Sequence, residues 1–368
     1  MTEPEPLQQF GRTYVRFRGR KLSYFSGCDY FRLASHPKVL TALWAGAKQY
    51  GLNVAASRLT TGNHVLYRKL ERQLAGFFRA EDALLVPTGY LTNLVVAQTL
   101  AGNFSHALLD EESHPSLSDA ARLLDCPLLR FGHGDAAELA GCIRRCGPGS
   151  KVILLTDGMF SRDGTAAPLK AYLEVLPLDA VMLVDDAHGA GVLGRTGRGS
   201  VEHAGVSRRR VIQTVTLSKA FGAYGGAILA TAALRRQIIN RSQLFVGSTP
   251  LPLPLANAAL QAVKLVQTDK SLRHRLAHNA GYLKQGLRTA GLPVPDAPGP
   301  IVAVVPKRPG AAARISRRLL EVGIYPPFIH YPGGPAGGYF RFVVSSEHSR
   351  RQLDGLIGAL VAELRQMS

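Results

Sequence analysis

Tryptophan occurs once in these 368 residues and cysteine four times, and no run of about 18 uninterrupted apolar residues is present. Without such a run no membrane-spanning helix is expected. The N-terminal stretch MTEPEPLQQFGRTYVRFRGRK carries acids and has no apolar core of signal-peptide length, so the reading is a cytoplasmic protein. Cys28, Cys126, Cys142 and Cys146 are few for the length, and Cys142-x3-Cys146 lacks the second pair a zinc site requires. They read as reduced thiols, the last two one turn apart on a helix, and no metal is expected. Acidic residues are scarce too: 26 Asp and Glu against 44 Lys and Arg leave a formal charge of +18. The basic residues are spread in small groups (Arg16 to Lys21, Arg208 to Arg210, Arg235–Arg236, Arg317–Arg318, Arg350–Arg351) with no aromatic stripe between them. That distribution argues for a generally basic surface and against a nucleic-acid site. Lysine is itself rare, 11 against 33 Arg, so a Lys at a special position stands out.

What is present is apolar sequence, 46 % of the chain, enough for one large domain and a smaller lobe. From about residue 80, short β-rich runs alternate with amphipathic stretches, which predicts an α/β fold with a mostly parallel sheet covered by helices. The runs are ALLVPTG, HALLDEES, PLLRFG, KVILLTDG, AVMLVDDAH, VIQTVTLS and GAILAT. LPVPDAPGP then leads to IVAVVP, AAARISRRLLEVG, YFRFVVSS and RRQLDGLIGALVAEL, a small α+β lobe. The expected divisions are an arm over 1–35, a large domain over 36–270 and a C-terminal lobe over 271–368.

In open α/β sheets, ligands gather beyond the carboxyl ends of the strands. Thr88, Gly89 and Tyr90 follow one run and open a helix whose N–H groups could cradle a phosphate. His114 follows the next. Asp157, Ser161 and Asp163 follow KVILLT, Asp185 and His188 follow AVMLV, and Thr216, Ser218 and Lys219 follow VIQTV. Pyridoxal 5'-phosphate needs an amine to hold its aldehyde as a Schiff base and a carboxylate to keep its ring nitrogen protonated. Lys219 and Asp185 fit those two needs. Asp186 should point to the opposite side of its strand from Asp185 and be structural.

On the landmarks RGRKLSYFSGCDYFRLASHP, SRLTTGNHVLYRKLE, PTGYLTN, DEESHPSL, TDGMFSRDG, DDAHGAGVLGRTGRG, TLSKAFGAYGG, FVGSTPLPLP and YFRFVVSSEH, the chain resembles the α-oxoamine synthases over nearly its whole length. These are fold-type I pyridoxal-phosphate enzymes. The resemblance implies that Lys219 carries the cofactor and moves the substrate's α-proton, that Asp185 pairs with the ring nitrogen, that His188 bonds the phenolic oxygen, and that His114 stacks on the ring. It places Thr88, Gly89, Tyr90, Ser161, Thr216 and Ser218 around the cofactor, Ser248 and Thr249 reaching the phosphate from a second subunit of a homodimer, and Arg341 on the amino-acid carboxylate.

Departures fall on the substrate side. Asp29-Tyr30-Phe31-Arg32-Leu33 stands for the family's Asn-Tyr-Leu-Gly-Leu, which sets Asp29 near the carboxylate. Asn53-Val54-Ala55-Ala56 replaces a glycine-rich approach, and His330 stands where an arginine is usual, in a loop one residue shorter. The expected reaction is a decarboxylating condensation of a small α-amino acid with an acyl thioester, on coenzyme A or acyl carrier protein, giving an α-amino ketone. The rivals are another reaction on the same cofactor (glycine-specific condensation, serine palmitoyltransferase-like chemistry, retro-aldol cleavage or transamination) and a non-catalytic basic nucleic-acid-binding or regulatory protein on a degenerated scaffold.

Overall fold

The computed structural model describes residues 5–331 and 334–365. Among these residues the strands form three sheets. The arm contributes β1 (Gln8–Phe10), β2 (Tyr14–Phe17) and β3 (Arg20–Ser23), an antiparallel meander. The central sheet holds β4 (Asp82–Val86), β5 (His106–Asp110), β6 (Leu128–Phe131), β7 (Val152–Asp157), β8 (Val181–Asp185), β9 (Val211–Thr216) and β10 (Gly226–Ala230), in the order β4-β10-β9-β8-β7-β5-β6. The C-terminal sheet holds β11 (Ile301–Val304), β12 (Phe328–Ile329) and β13 (Tyr339–Val343), in the order β11-β13-β12.

Every residue of β7 and β9 is buried, as expected of strands covered on both faces. Alternation divides the packing. Leu84, Val86, Leu155 and Ile228 join one apolar cluster, while Leu85, Ala227 and Leu229 join another across the sheet. The sheet is mixed rather than purely parallel, because β10 runs against both neighbours. The loop 217–225 explains this: a parallel return needs a crossover of about a dozen residues or more, and this loop allows only a reversal.

The C-terminal lobe has its own core, in which Phe340, Phe342, Leu319, Leu353 and Leu356 meet Phe25 of the arm. Backbone bonds stitch the arm to the lobe: Val343 N donates to Phe25 O at 2.9 Å and Ser346 N to Tyr30 O at 2.8 Å. Segment 25–30 therefore passes between the central sheet and the lobe. Among the described residues no helix is long and apolar enough to cross a membrane.

Candidate active site

The strand ends converge on a cavity of about 240 Å³ lined by Cys28, His114, Ser161, His188, Lys219, Tyr331 and Arg341, among others. Lys219 sits in the reversal between β9 and β10. Its Nζ lies 2.7 Å from His188 Nε2, and His188 Nδ1 lies 2.7 Å from the Tyr30 hydroxyl. Burial lowers the Lys219 pKa, against the partial compensation of Cys28 and Asp185. Burial and the Lys219 charge hold His188 well below the usual imidazole range, so its ring is neutral. The result is a dry chain of three proton-carrying groups ending on an amine.

Asp185 ends β8. One carboxylate oxygen accepts from Asn93 Nδ2 at 2.6 Å and from Ser116 Oγ at 3.4 Å; the other accepts from Ala187 N at 3.0 Å. Asn93 is held in turn by Thr214 Oγ1, which donates to its Oδ1 at 2.7 Å. Asp157 lies directly beside Asp185 in the β7–β8 register. Burial, then the charge of Asp185, raises the Asp157 carboxyl well above its ordinary range, and its oxygen accepts from His114 N at 2.6 Å. Asp186 faces away and accepts from Ser200 N at 2.9 Å and from Gln213 Nε2, with burial raising its pKa to about 7.

His114 caps the helix Pro115–Arg122, its Nδ1 accepting from Ser116 N at 3.2 Å, while Nε2 lies 3.2 Å from the Tyr331 hydroxyl. Those two contacts fix the ring plane, and burial keeps it neutral. At the opposite side, Thr88 caps the helix Gly89–Leu100. A Cβ on Gly89 would lie 2.7 Å from that of Thr216, so only glycine lets this helix start against β9. Thr216 Oγ1 accepts from Ser218 N at 3.2 Å, and the Ser218 side chain is exposed. Helix N-terminus, Thr216 and Ser218 thus form one polar mouth suited to a phosphate. Tyr90 stands edge-on to His114 at 6.0 Å, its hydroxyl bonded to Asp119 and its pKa pushed up to about 12. An amine whose pKa is lowered by desolvation, a buried carboxylate fixed by Asn93, an oriented imidazole and this polar mouth match what pyridoxal 5'-phosphate requires.

Arg341, in the middle of β13, turns into the cavity: its Nε donates to Ser161 O, and both Nη atoms lie 3.6 Å from Cys28 Sγ. The geometry corrects the expectation for Asp29. Its two oxygens accept from Leu33 N and Ala34 N, both at 2.9 Å, closing a turn away from the cavity. Cys28 and Tyr30, on either side of Asp29 in this turn, face the site instead. Ser248 and Thr249 do not line the cavity of their own chain; Ser248 lies by Arg58, Tyr67 and Pro87. Ala55 takes a left-handed φ of 48° in the loop that departs from the glycine-rich pattern. His330 packs edge-on to Phe328, and residues 332–333 of its loop lie outside the described residues. Cys28, Tyr30 and Asn93 were not singled out from sequence as site residues.

Residues 28–360 match the family model described as aminotransferase class I and II. The chain belongs to that family and, within it, to the pyridoxal-phosphate-dependent α-oxoamine synthases of fold type I. It is 39 % identical to an 8-amino-7-oxononanoate synthase of Thioalkalivibrio sulfidiphilus, over 94 % of this chain and 89 % of that one. It is 36 % identical to a putative 8-amino-7-oxononanoate synthase of Desulforudis audaxviator, over 98 % and 94 %. A solved serine palmitoyltransferase from S. paucimobilis, bound to a PLP–myriocin aldimine, superposes with a TM-score of 0.93 at 26 % identity, covering 99 % of this chain and 94 % of that one. Pyridoxal phosphate is the cofactor, and the protein is an acyltransferase that joins an amino acid to an acyl thioester.

Proposed function

We propose that this enzyme condenses L-alanine with a pimeloyl thioester, releasing carbon dioxide and the thiol and giving 8-amino-7-oxononanoate, a step of biotin synthesis. The observation that carries the reading is the cavity bounded by the Lys219–His188–Tyr30 chain on one side and the Arg341 fork on the other, which suits an α-amino acid held by its two ends. The names of the curated relatives supply the acyl chain.

When bound, pyridoxal phosphate supplies an aldehyde that condenses with amines and a ring that accepts the electron pair released at the substrate's Cα. Asp185, locked by Asn93, presents a carboxylate to the ring nitrogen. His188 would donate toward the phenolic oxygen, and His114, fixed by Ser116 and Tyr331, would stack on the ring. Gly89, Tyr90, Thr216 and Ser218 hold the phosphate, with Thr88 setting the helix end. Lys219 would hold the cofactor's aldehyde and would move the proton at the substrate's Cα, its basicity lowered by burial. Arg341 grips the carboxylate with two parallel donors.

The protein acts as a homodimer in which Ser248 and Thr249 reach the other subunit's phosphate. Leu40, Trp44, Leu52, Leu59 and Val65 are exposed on or between the helices Pro37–Tyr50 and Val65–Phe78, an apolar surface that a second copy would cover. Its four free thiols suit the cytoplasm. Acyl carrier protein is the preferred donor, since a +18 chain attracts an acidic protein over its whole surface. Purified holoenzyme given alanine, glycine or serine with matched pimeloyl, acetyl and palmitoyl thioesters, analysed by mass spectrometry, tests the reaction. The expected product is the nine-carbon amino ketone acid. Pyruvate without carbon–carbon bond formation, or a faster reaction with glycine or serine, overturns it. The carrier-protein donor should lose kcat/KM with salt far more steeply than the coenzyme A donor, and equal slopes would remove that partner.

A further inference from the structure

The amino-acid end of the cavity contains one group that the proposed reaction leaves without work. Cys28 Sγ stands 3.6 Å from both Nη atoms of Arg341. Among the described residues those nitrogens meet no carboxylate and no carbonyl, while Nε is spent on Ser161 O. The two-pronged face of the guanidinium, the part shaped for a carboxylate, therefore rests on sulfur.

We propose that Cys28 is a specificity-determining residue of the amino-acid site: its sulfur is the resting partner of the Arg341 fork, and an incoming carboxylate binds only by taking that place. This rests on the reading of Arg341 as the carboxylate's partner. A guanidinium fork offers two parallel donors, and a carboxylate uses both. A thiolate and a carboxylate crowded on the same fork repel each other. Cys28 must then be a neutral thiol whenever the amino acid is bound. When it starts as the thiolate, it takes one proton from solvent as the carboxylate arrives, and binding weakens as pH rises.

The groups around the sulfur set its ionisation. Arg341 faces it from β13, Lys219 from the β9–β10 reversal, Tyr30 and Arg32 from its own segment, and Tyr331 from the loop after β12; His188 and His114 line the same cavity. Burial alone would push the thiol up. The charges of Arg341 and Lys219, with hydrogen bonds from Arg341 and Tyr30, outweigh it and bring the thiol below its ordinary value. Tyr30 stays a phenol, raised by burial and by the Cys28 charge.

Two measurements on holoenzyme test the proposal, neither requiring turnover. In the first, iodoacetamide alkylation of Cys28 is followed against pH by peptide mass spectrometry; the thiolate displaces iodide and forms the thioether. The midpoint should fall below the ordinary thiol value of about 8.5, should move up in Arg341→Gln, and L-alanine, glycine or serine should slow the reaction. In the second, L-alanine affinity is measured by calorimetry in buffers of different ionisation enthalpy for wild type, Cys28→Ser and Cys28→Asp. The ratio of wild-type to Cys28→Ser Kd should rise by up to roughly tenfold per pH unit above the midpoint, with one more proton taken up by wild type. Cys28→Asp should weaken binding at least about tenfold at every pH while the cofactor's absorbance is unchanged. Cys28→Ala provides a second neutral variant should the serine protein fold poorly.

A midpoint at or above the ordinary value that ignores Arg341→Gln overturns the proposal. So does a Kd ratio flat with pH, or the failure of all three amino acids to protect Cys28. Protection by alanine without any condensation product would sink the proposed reaction and leave this assignment standing.

Discussion

The two halves of the cavity are built on different plans. On the cofactor side the groups are held by neighbours from the central sheet and from the helices packed on it: Asp185 by Asn93, Asn93 by Thr214, His114 by Ser116 and Asp157. Asp157 and Asp185 end buried strands while Asn93 and Ser116 stand on the helices Gly89–Leu100 and Pro115–Arg122, and these bonds are in place before anything binds. On the substrate side Arg341 comes from the C-terminal lobe, Cys28 from the arm and Ser161 from a loop after β7, and both Nη atoms of the fork lie 3.6 Å from Cys28 Sγ. A half that is internally satisfied resists change, because each substitution strands a buried polar partner. A half assembled from three separate elements can be altered one element at a time, and it is there that this chain departs from its relatives' pattern.

The largest effect should follow from Lys219→Ala, which removes the amine that the cofactor-side groups surround. Turnover should fall by about a thousandfold or more while the fold persists, and borohydride should no longer fix the cofactor to the chain. Retention of that reducible linkage would contradict the assignment. Asp185→Asn keeps the shape but withdraws the negative partner of the ring nitrogen, at a cost of about 3–5 kcal/mol in the barrier by analogy with other broken buried pairs. A wild-type kcat in that variant would dissolve the contrast between the halves.

On the substrate side, Arg341→Lys should raise the amino-acid KM by roughly 10–100-fold and leave the cofactor spectrum alone, because a point charge cannot replace two parallel donors. An unchanged KM would remove Arg341 from the substrate.

The junction of the two halves should be acid-sensitive. His348 is buried, its Nδ1 accepting from Ser345 N at 2.9 Å and its Nε2 donating to Tyr24 O at 3.1 Å. Burial, then the charge of Arg32, depresses its pKa to about 3. The unfolded state binds the proton first, so stability present above about pH 6.5 declines as pH falls toward 3, by ~1.4 kcal/mol per unit at most. Urea melts between pH 7 and 4.5 should show this slope, and His348→Gln should flatten it.

The smallest effect belongs to Asp29→Ala, which uncaps Leu33 and Ala34: a loss of about 1 kcal/mol in stability with little change in amino-acid KM. A KM change larger than the change in Tm explains would return Asp29 to the site.

The chain's apolar runs made the seven central strands legible, since fully buried strands leave a continuous hydrophobic record. The reversal of β10 was not legible from the runs themselves, though the shortness of 217–225 encodes it. Lys219, Asp185, His188 and His114 stood out because each sits at or just beyond the end of such a run, and three of them, Lys219, His188 and His114, line the cavity. Asn93 was hidden inside a helix, where an amide is unremarkable until a carboxylate arrives from another strand. Asp29 was misplaced because its carboxylate closes the local turn onto Leu33 N and Ala34 N, while Cys28 and Tyr30 on either side of it face the cavity.

Gly222 joins these parts. Its φ is +56°, and a Cβ there would come within 2.3 Å of Ala34 N, so the reversal carrying Lys219 lies with its backbone directly against the turn that follows Cys28. Nine residues before Ala34, Phe25 is bonded to Val343, close to Arg341 in β13. The arm is thus the spacer that fixes how far the amine lies from the carboxylate's fork. In modular terms, the C-terminal lobe is not a unit that could be exchanged alone to change the amino acid: segment 25–34 would have to travel with it.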